Sequence, residues 1–147
     1  MKTKFFFLFI FFCSGLSSQT KQAPIKNNGA LEIQKVLDTQ VLAWNEGNIE
    51  KFMEGYWNSD SLSFVGKSGV TKGWKATLER YKKNYPDKAA MGKLNFMIRS
   101  KEKLGPESYL VIGQWHLVRV ADEIGGYFSL VFKKINGKWV IISDHTS

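Results

Sequence analysis

One cysteine, three prolines and two histidines in 147 residues exclude much at the outset. A lone Cys13 cannot staple the fold with an internal disulfide. A mature domain of about 125 residues needs none, because it can bury an adequate core unaided. Two histidines and one cysteine do not make a metal coordination sphere. No glycine-rich phosphate loop and no nucleophile elbow occurs, so no metal and no cofactor is expected. Repeats and low-complexity stretches are also missing, and the length suits one domain. The formal charge is +8, or +6 without Lys2 and Lys4. Its lysines are dispersed and no arginine cluster appears, so the basic balance implies a solvated surface rather than a nucleic-acid partner.

The apolar run Phe5 to Phe12 follows Lys2 and Lys4 and leads into Cys13-Ser14-Gly15-Leu16-Ser17-Ser18-Gln19. A basic start, a short apolar core and a small-residue exit make a signal peptide over residues 1–19. The run is well short of the roughly twenty residues that span a membrane, so the expectation is export to the periplasm or exterior without a membrane anchor. Phe12 occupies the position where lipoprotein signals carry a small residue, which argues against Cys13 as a lipid-attachment site. Residues 20–29, polar and holding Pro24, form a tether, and the domain occupies 30–147.

Ile33, Val36, Leu37, Val41 and Trp44 lie on one helical face, giving a helix over roughly Ala30 to Asn45 that Gly47 stops. Asn48 caps a second helix bearing Ile49, Phe52, Met53, Tyr56 and Trp57. Leu62 and Phe64 mark a short strand, and Gly66 and Gly69 bracket a turn. Trp74, Leu78, Tyr81 and Tyr85 resume helical spacing until Pro86. That helix has a charged opposite face, Lys75, Glu79 and Lys83, which reads as solvated. Everything after Gly92 reads as strand, with turns at Gly105-Pro106, Gly125-Gly126 and Asn136-Gly137. Helices followed by an antiparallel meander argue an α+β fold with the sheet wrapped over three helices.

The Asn136-Gly137 pair sets the register of the last hairpin by pairing Ile135 with Lys138. Strict alternation then puts Phe128, Leu130, Phe132, Trp139, Ile141, Ser143 and His145 on one face, the more aromatic and therefore inner one. Tyr127, Ser129, Val131, Val140, Ile142, Asp144 and Thr146 take the other face, with Asp144 opposite Ser129. A half-apolar outer face is suited to cover by a second subunit.

The segments Val41-Leu42-Ala43-Trp44-Asn45-Glu46-Gly47-Asn48-Ile49-Glu50, Gly73-Trp74, Asn136-Gly137-Lys138-Trp139 and Asp144-His145-Thr146-Ser147 resemble the nuclear transport factor 2-like superfamily. More narrowly, they resemble its SnoaL-like group, related to the association domain of calcium/calmodulin-dependent protein kinase. The resemblance covers residues 30–147. It implies a cone of curved sheet closed by three helices, with a pocket inside and dimers through the outer face. It is specific for the fold and poor for function.

His145, on the inner face, is the candidate general base, with Tyr56 and Tyr81 as hydroxyl partners. A packed, hydrogen-bonded core histidine is the competing interpretation. Trp115 and His116 must point to opposite faces. The resemblance puts Trp115 inside and His116 outside with Gln114. Trp44, Phe64, Trp74, Trp115, Phe128 and Ser143 are the expected pocket lining. Enzymes of the superfamily usually carry a carboxylate inside the cone, and the inner positions on Ser61 to Gly66 and the last three strands hold none. Three functions stay open: a binder of a small, mostly apolar or aromatic ligand, an isomerase or dehydratase moving protons with His145 and a tyrosine, and an oligomeric interaction module without a ligand.

Overall fold

The computed structural model describes residues 29–147. The expected signal peptide, tether and Cys13 lie outside the described residues, apart from Gly29, which opens the first helix. Helix α1 spans Gly29–Glu46 and α2 spans Ile49–Met53. Gly47 separates them at φ 81°, its N–H donating to the Trp44 carbonyl at 2.8 Å, as a left-handed helix stop requires. The Asn48 side chain then accepts from the Lys51 N–H at 2.9 Å and caps α2.

Strands β1 (Ser63–Gly66) and β2 (Gly69–Lys72) form a small hairpin. They are followed by α3 (Trp74–Asn84) and a one-turn α4 (Lys88–Met91), which Asp87 caps through the Ala90 N–H. The long strands are β3 (Lys93–Gly105), β4 (Ser108–Val118), β5 (Glu123–Ile135) and β6 (Lys138–Thr146). They make one six-stranded sheet in the order β2-β1-β6-β5-β4-β3. The expected α+β cone is present, with three additions, the first being the one-turn α4 beyond the three expected helices. Strand β2 lies where only a turn was expected, and β1 joins the sheet parallel to β6. The packed core gathers Ile33, Leu37, Met53, Leu62, Val111, Phe132 and Ile141, all almost wholly inaccessible, between the helices and the concave face.

The β4–β5 connection departs from expectation. The chain turns at Arg119 to Asp122, where the Arg119 N–H donates to the Asp122 carbonyl at 2.9 Å and the side chains form a two-point ion pair. Gly125 and Gly126 are strand residues paired with His116 and Trp115. A Cβ at Gly126 would sit 1.9 Å from the Ser147 carbonyl oxygen, so close backbone approach, not turning, requires glycine there.

The β5–β6 hairpin turns at Asn136 (φ 49°) and Gly137 (φ 78°), the two left-handed residues of a type I′ turn. Ile135 pairs with Lys138 and Phe132 with Ile141, as expected; the next pair, however, is Val131 with Ser143. Ile142 is an extra residue, a β-bulge, and it reverses the alternation for the rest of β6. Asp144 therefore turns inward at 4% exposure, while His145 is exposed.

Candidate functional site

A cavity of about 390 Å³ occupies the cone between α1, α2, α3 and the concave sheet face, within the ~300–1,000 Å³ usual for small-molecule sites. Its walls are mainly aromatic: Trp44, Phe52, Phe64, Phe96, Trp115 and Phe128. The Trp44 ring is held by its Nε1–H, which donates to the Met91 carbonyl at 3.0 Å, and meets Phe52 and Tyr85 edge-on at 5.1 and 4.8 Å. Asn45 next to it fastens α1 to β3, accepting from the Leu94 N–H at 2.7 Å and donating to the Leu94 carbonyl at 3.2 Å.

The polar part of the cavity is a chain of three side chains. Tyr56 donates its hydroxyl to Asp144 Oδ2 at 2.7 Å and lies 3.1 Å from the Tyr81 hydroxyl. Each comes from a different element. Tyr56 follows α2 in a segment tied to β6, where the Ile141 N–H donates to the Gly55 carbonyl and the Trp57 N–H to the Ile141 carbonyl, both at 2.9 Å. Tyr81 projects from α3 into an aromatic cage of Phe52 and Phe64, 5.3 and 5.7 Å away. Asp144 lies on β6 between Leu130 and Phe64.

Burial dominates the electrostatics. It raises the Asp144 carboxyl from 3.8 to about 7, against the Tyr56 hydrogen bond, which lowers it. Burial first, and then the Asp144 charge, lift both tyrosine hydroxyls well above their ordinary range. Asp144 Oδ1 is buried without a hydrogen-bond partner among the described residues, and so is Trp115 Nε1. A buried polar atom left unpaired in an apolar cavity costs free energy until something supplies a partner. Near neutral pH this carboxyl exists in both protonation states, so it can accept or donate a hydrogen bond or a proton.

The expected site residues divide. Tyr56, Tyr81, Trp44, Phe64, Trp115 and Phe128 all line the cavity. His145 does not: it is exposed on the outer face, with Ser129 and Val65 as strand neighbours. Ser143 is carried outward by the same bulge and pairs with Val131 and Ser63. Trp74 packs elsewhere, its Nε1–H donating to the Met53 carbonyl at 2.9 Å, and it lines a shallow groove outside the cone. Asp144, expected to point out toward Ser129, is the inner carboxylate that alternation alone had excluded. The available signal was weak: Trp139-Val140-Ile141-Ile142 is a run of four apolar residues, so apolar alternation does not by itself fix the faces of this strand. His116 lies outside as expected, 3.1 Å from Glu123. Among the described residues no three His, Cys, Asp or Glu side chains gather into a metal-binding cluster.

No protein-family model matches the chain, and neither does any curated protein. Solved structures do. An NTF-2 like protein of unknown function from Shewanella oneidensis MR-1 shares 39% identity at a TM-score of 0.78, covering 81% of this chain and 98% of its own. A Xanthomonas campestris chain named for the calcium/calmodulin dependent protein kinase II association domain superposes at a TM-score of 0.63 with 19% identity, over 80% of this chain and 86% of its own. An NTF2-like superfamily protein from Salmonella enterica serovar Typhimurium LT2 gives 0.62 and 18%, over 81% and 92%. The last two share the fold. At 39% identity over nearly its whole length, the Shewanella relative shows more: this chain belongs to the nuclear transport factor 2-like family.

Proposed function

We propose that the protein binds a small, largely apolar or aromatic molecule inside the cone and anchors one polar group of it on Asp144, Tyr56 and Tyr81. The observation that carries this reading is Asp144 Oδ1, buried in the lining of an otherwise apolar cavity with no partner among the described residues. A ligand hydroxyl, amide or enol would satisfy it, and the aromatic walls would supply contact area. The interaction-module alternative is disfavoured by the open cavity, which the Trp and Phe side chains line but do not fill.

A second reading has its own support. A carboxyl titrating at about 7 beside a tyrosine donor can take a proton from a bound carbon acid or give one to a leaving hydroxyl. This is the isomerase or dehydratase chemistry first assigned to His145, now centred on Asp144 with Tyr56. The test for both is a thermal-shift screen of the protein against a broad metabolite set, with Asp144→Asn alongside. A stabilising hit weakened by the substitution supports binding. Deuterium entering that hit from heavy water, and not with Asp144→Asn, supports proton transfer. No hit from the whole set would contradict both.

We also propose that the outer sheet face pairs with a second copy. Met97 and Tyr127 are more than half exposed there, with Ile112, Val131 and Val140 partly covered. A dimer mass in light scattering is the expected result. Export through residues 1–19 is likewise proposed, and cleavage close after Ser17 in secreted material is the measurement.

A further inference from the structure

The cavity has two chemically different ends. Deep inside are the hydroxyls and the Asp144 carboxyl. At one opening, where lining residues become exposed, stand Lys67 and Asn84, with the partly buried Arg80 between opening and wall; Gly125 and Ser147 are the exposed lining residues elsewhere. Arg80 is seated with some care. Its guanidinium lies over the Phe64 ring, 5.0 Å from the centroid, and against Gly66, where a Cβ would come within 2.8 Å of Nη2. Its one hydrogen bond among the described residues is a long one, 3.4 Å from Nη1 to Thr71 Oγ1. Among the described residues neither Arg80 nor Lys67 forms an ion pair, although the neighbouring Lys82 pairs with Glu50 at 2.9 Å. A guanidinium held on an aromatic face keeps its forked N–H edge available, and that fork matches a carboxylate. The Arg80 charge reaches the Tyr81 and Tyr85 hydroxyls, which it pulls down against the larger effect of burial; Asp144 lies deeper.

We infer that the ligand of the cone is a small aromatic monocarboxylic acid, its ring system inside and its carboxylate at the opening on the Arg80 guanidinium, with Lys67 adding long-range attraction. This rests on the reading of the cone as a ligand site. The orientation follows from the charges. A carboxylate placed deep would share a water-poor, aromatic-walled site with the Asp144 carboxyl and no cation, so the two could not both be ionised there without strong repulsion. At the opening it meets two cations with no anionic partner and stays partly hydrated. The deep end is left for an uncharged polar group.

The experiment measures affinity for matched pairs: phenylacetate, naphthylacetate and biphenylacetate, each against its neutral amide. Wild type is expected to prefer the acid of at least one pair by about tenfold, the scale of one charge-assisted hydrogen-bonded contact. Arg80→Gln is expected to abolish the preference and leave amide binding intact. Arg80→Lys, which keeps the charge and loses the fork, is expected to retain part of it. Amides that bind as well as their acids in wild type would overturn this inference and leave the cone as a ligand site. An acid preference undiminished in Arg80→Gln would overturn the role of Arg80. Failure of every acid and every amide to bind would overturn this inference, and the broad thermal-shift screen then decides separately whether the cone is a ligand site.

Discussion

The Tyr56 hydroxyl donates to Asp144 Oδ2 at 2.7 Å across 88 residues of sequence. The bond joins the segment after α2 to the last strand and places a carboxyl of unusual acidity in the wall of an aromatic cone. Its two partners behave differently on substitution, and that difference makes the site testable.

Replacing Asp144 by Asn removes the titration and keeps the shape. The folded-state pKa is raised, from 3.8 to about 7. The folded protein therefore keeps a proton that the unfolded chain has already lost. The resulting stability is fully present below the unfolded value and disappears as pH climbs through about 7. Between about pH 5 and pH 8, wild type should lose ~2–3 kcal/mol relative to Asp144→Asn, by linkage for one such carboxyl. Urea unfolding of both proteins at the two pH values measures it. Parallel pH dependences would place Asp144 in water.

Tyr56→Phe should act in the opposite sense on the same carboxyl. The Tyr56 hydrogen bond lowers the Asp144 pKa against burial, so its loss should raise the midpoint above about 7 and weaken any ligand held at the deep end. An NMR titration of the variant reads the midpoint, and an unchanged or lower value would deny the bond a role.

His145→Ala should be nearly silent. His145 is exposed on the outer face, and exposed substitutions usually change stability by less than ~0.5 kcal/mol. Affinity for any cone ligand should match wild type in the same titration. A loss of binding would return the histidine to the site.

Asn45→Ala should destabilise strongly for a polar residue. Its side chain both accepts from and donates to the Leu94 backbone, and Leu94 is buried. Stranding the Leu94 N–H and carbonyl should cost about 1–3 kcal/mol, a drop of several degrees in melting temperature. A shift under a degree would show that water replaces the clamp.

Much of this was legible in the residues. The apolar spacing from Ile33 to Trp44, the Gly47 stop, the Asn48 cap and the Asn136-Gly137 turn each encode their geometry locally, and the helices and the hairpin form accordingly. Tyr81 and most of the aromatic lining followed from helical and strand spacing, whereas Tyr56, expected with Trp57 on the second helix, lies beyond its end at Met53 in a bridge to Ile141. The error came from one residue. Ile142 bulges out of β6, and a period of two carries any single insertion to every later position, so His145 and Asp144 exchanged faces. The apolar run Trp139 to Ile142 breaks the alternation without locating a bulge, because such runs also occur in strands covered on both sides. Gly125 and Gly126 read as a turn because glycine favours turns. Their true cause, the Ser147 and Trp115 backbones pressed against them, lies far along the chain. The same holds for Arg80, whose seat on Phe64 and Gly66 joins a helix to a hairpin.

The most direct test of the whole account is a carbon-13 NMR titration of the Asp144 carboxyl in the wild-type protein. A midpoint near 7, moving when a ligand occupies the cone, is the predicted result. A midpoint near the ordinary 3.8 would mean a solvated carboxylate on the outer face, and would contradict both the inward turn of Asp144 and the site built on it.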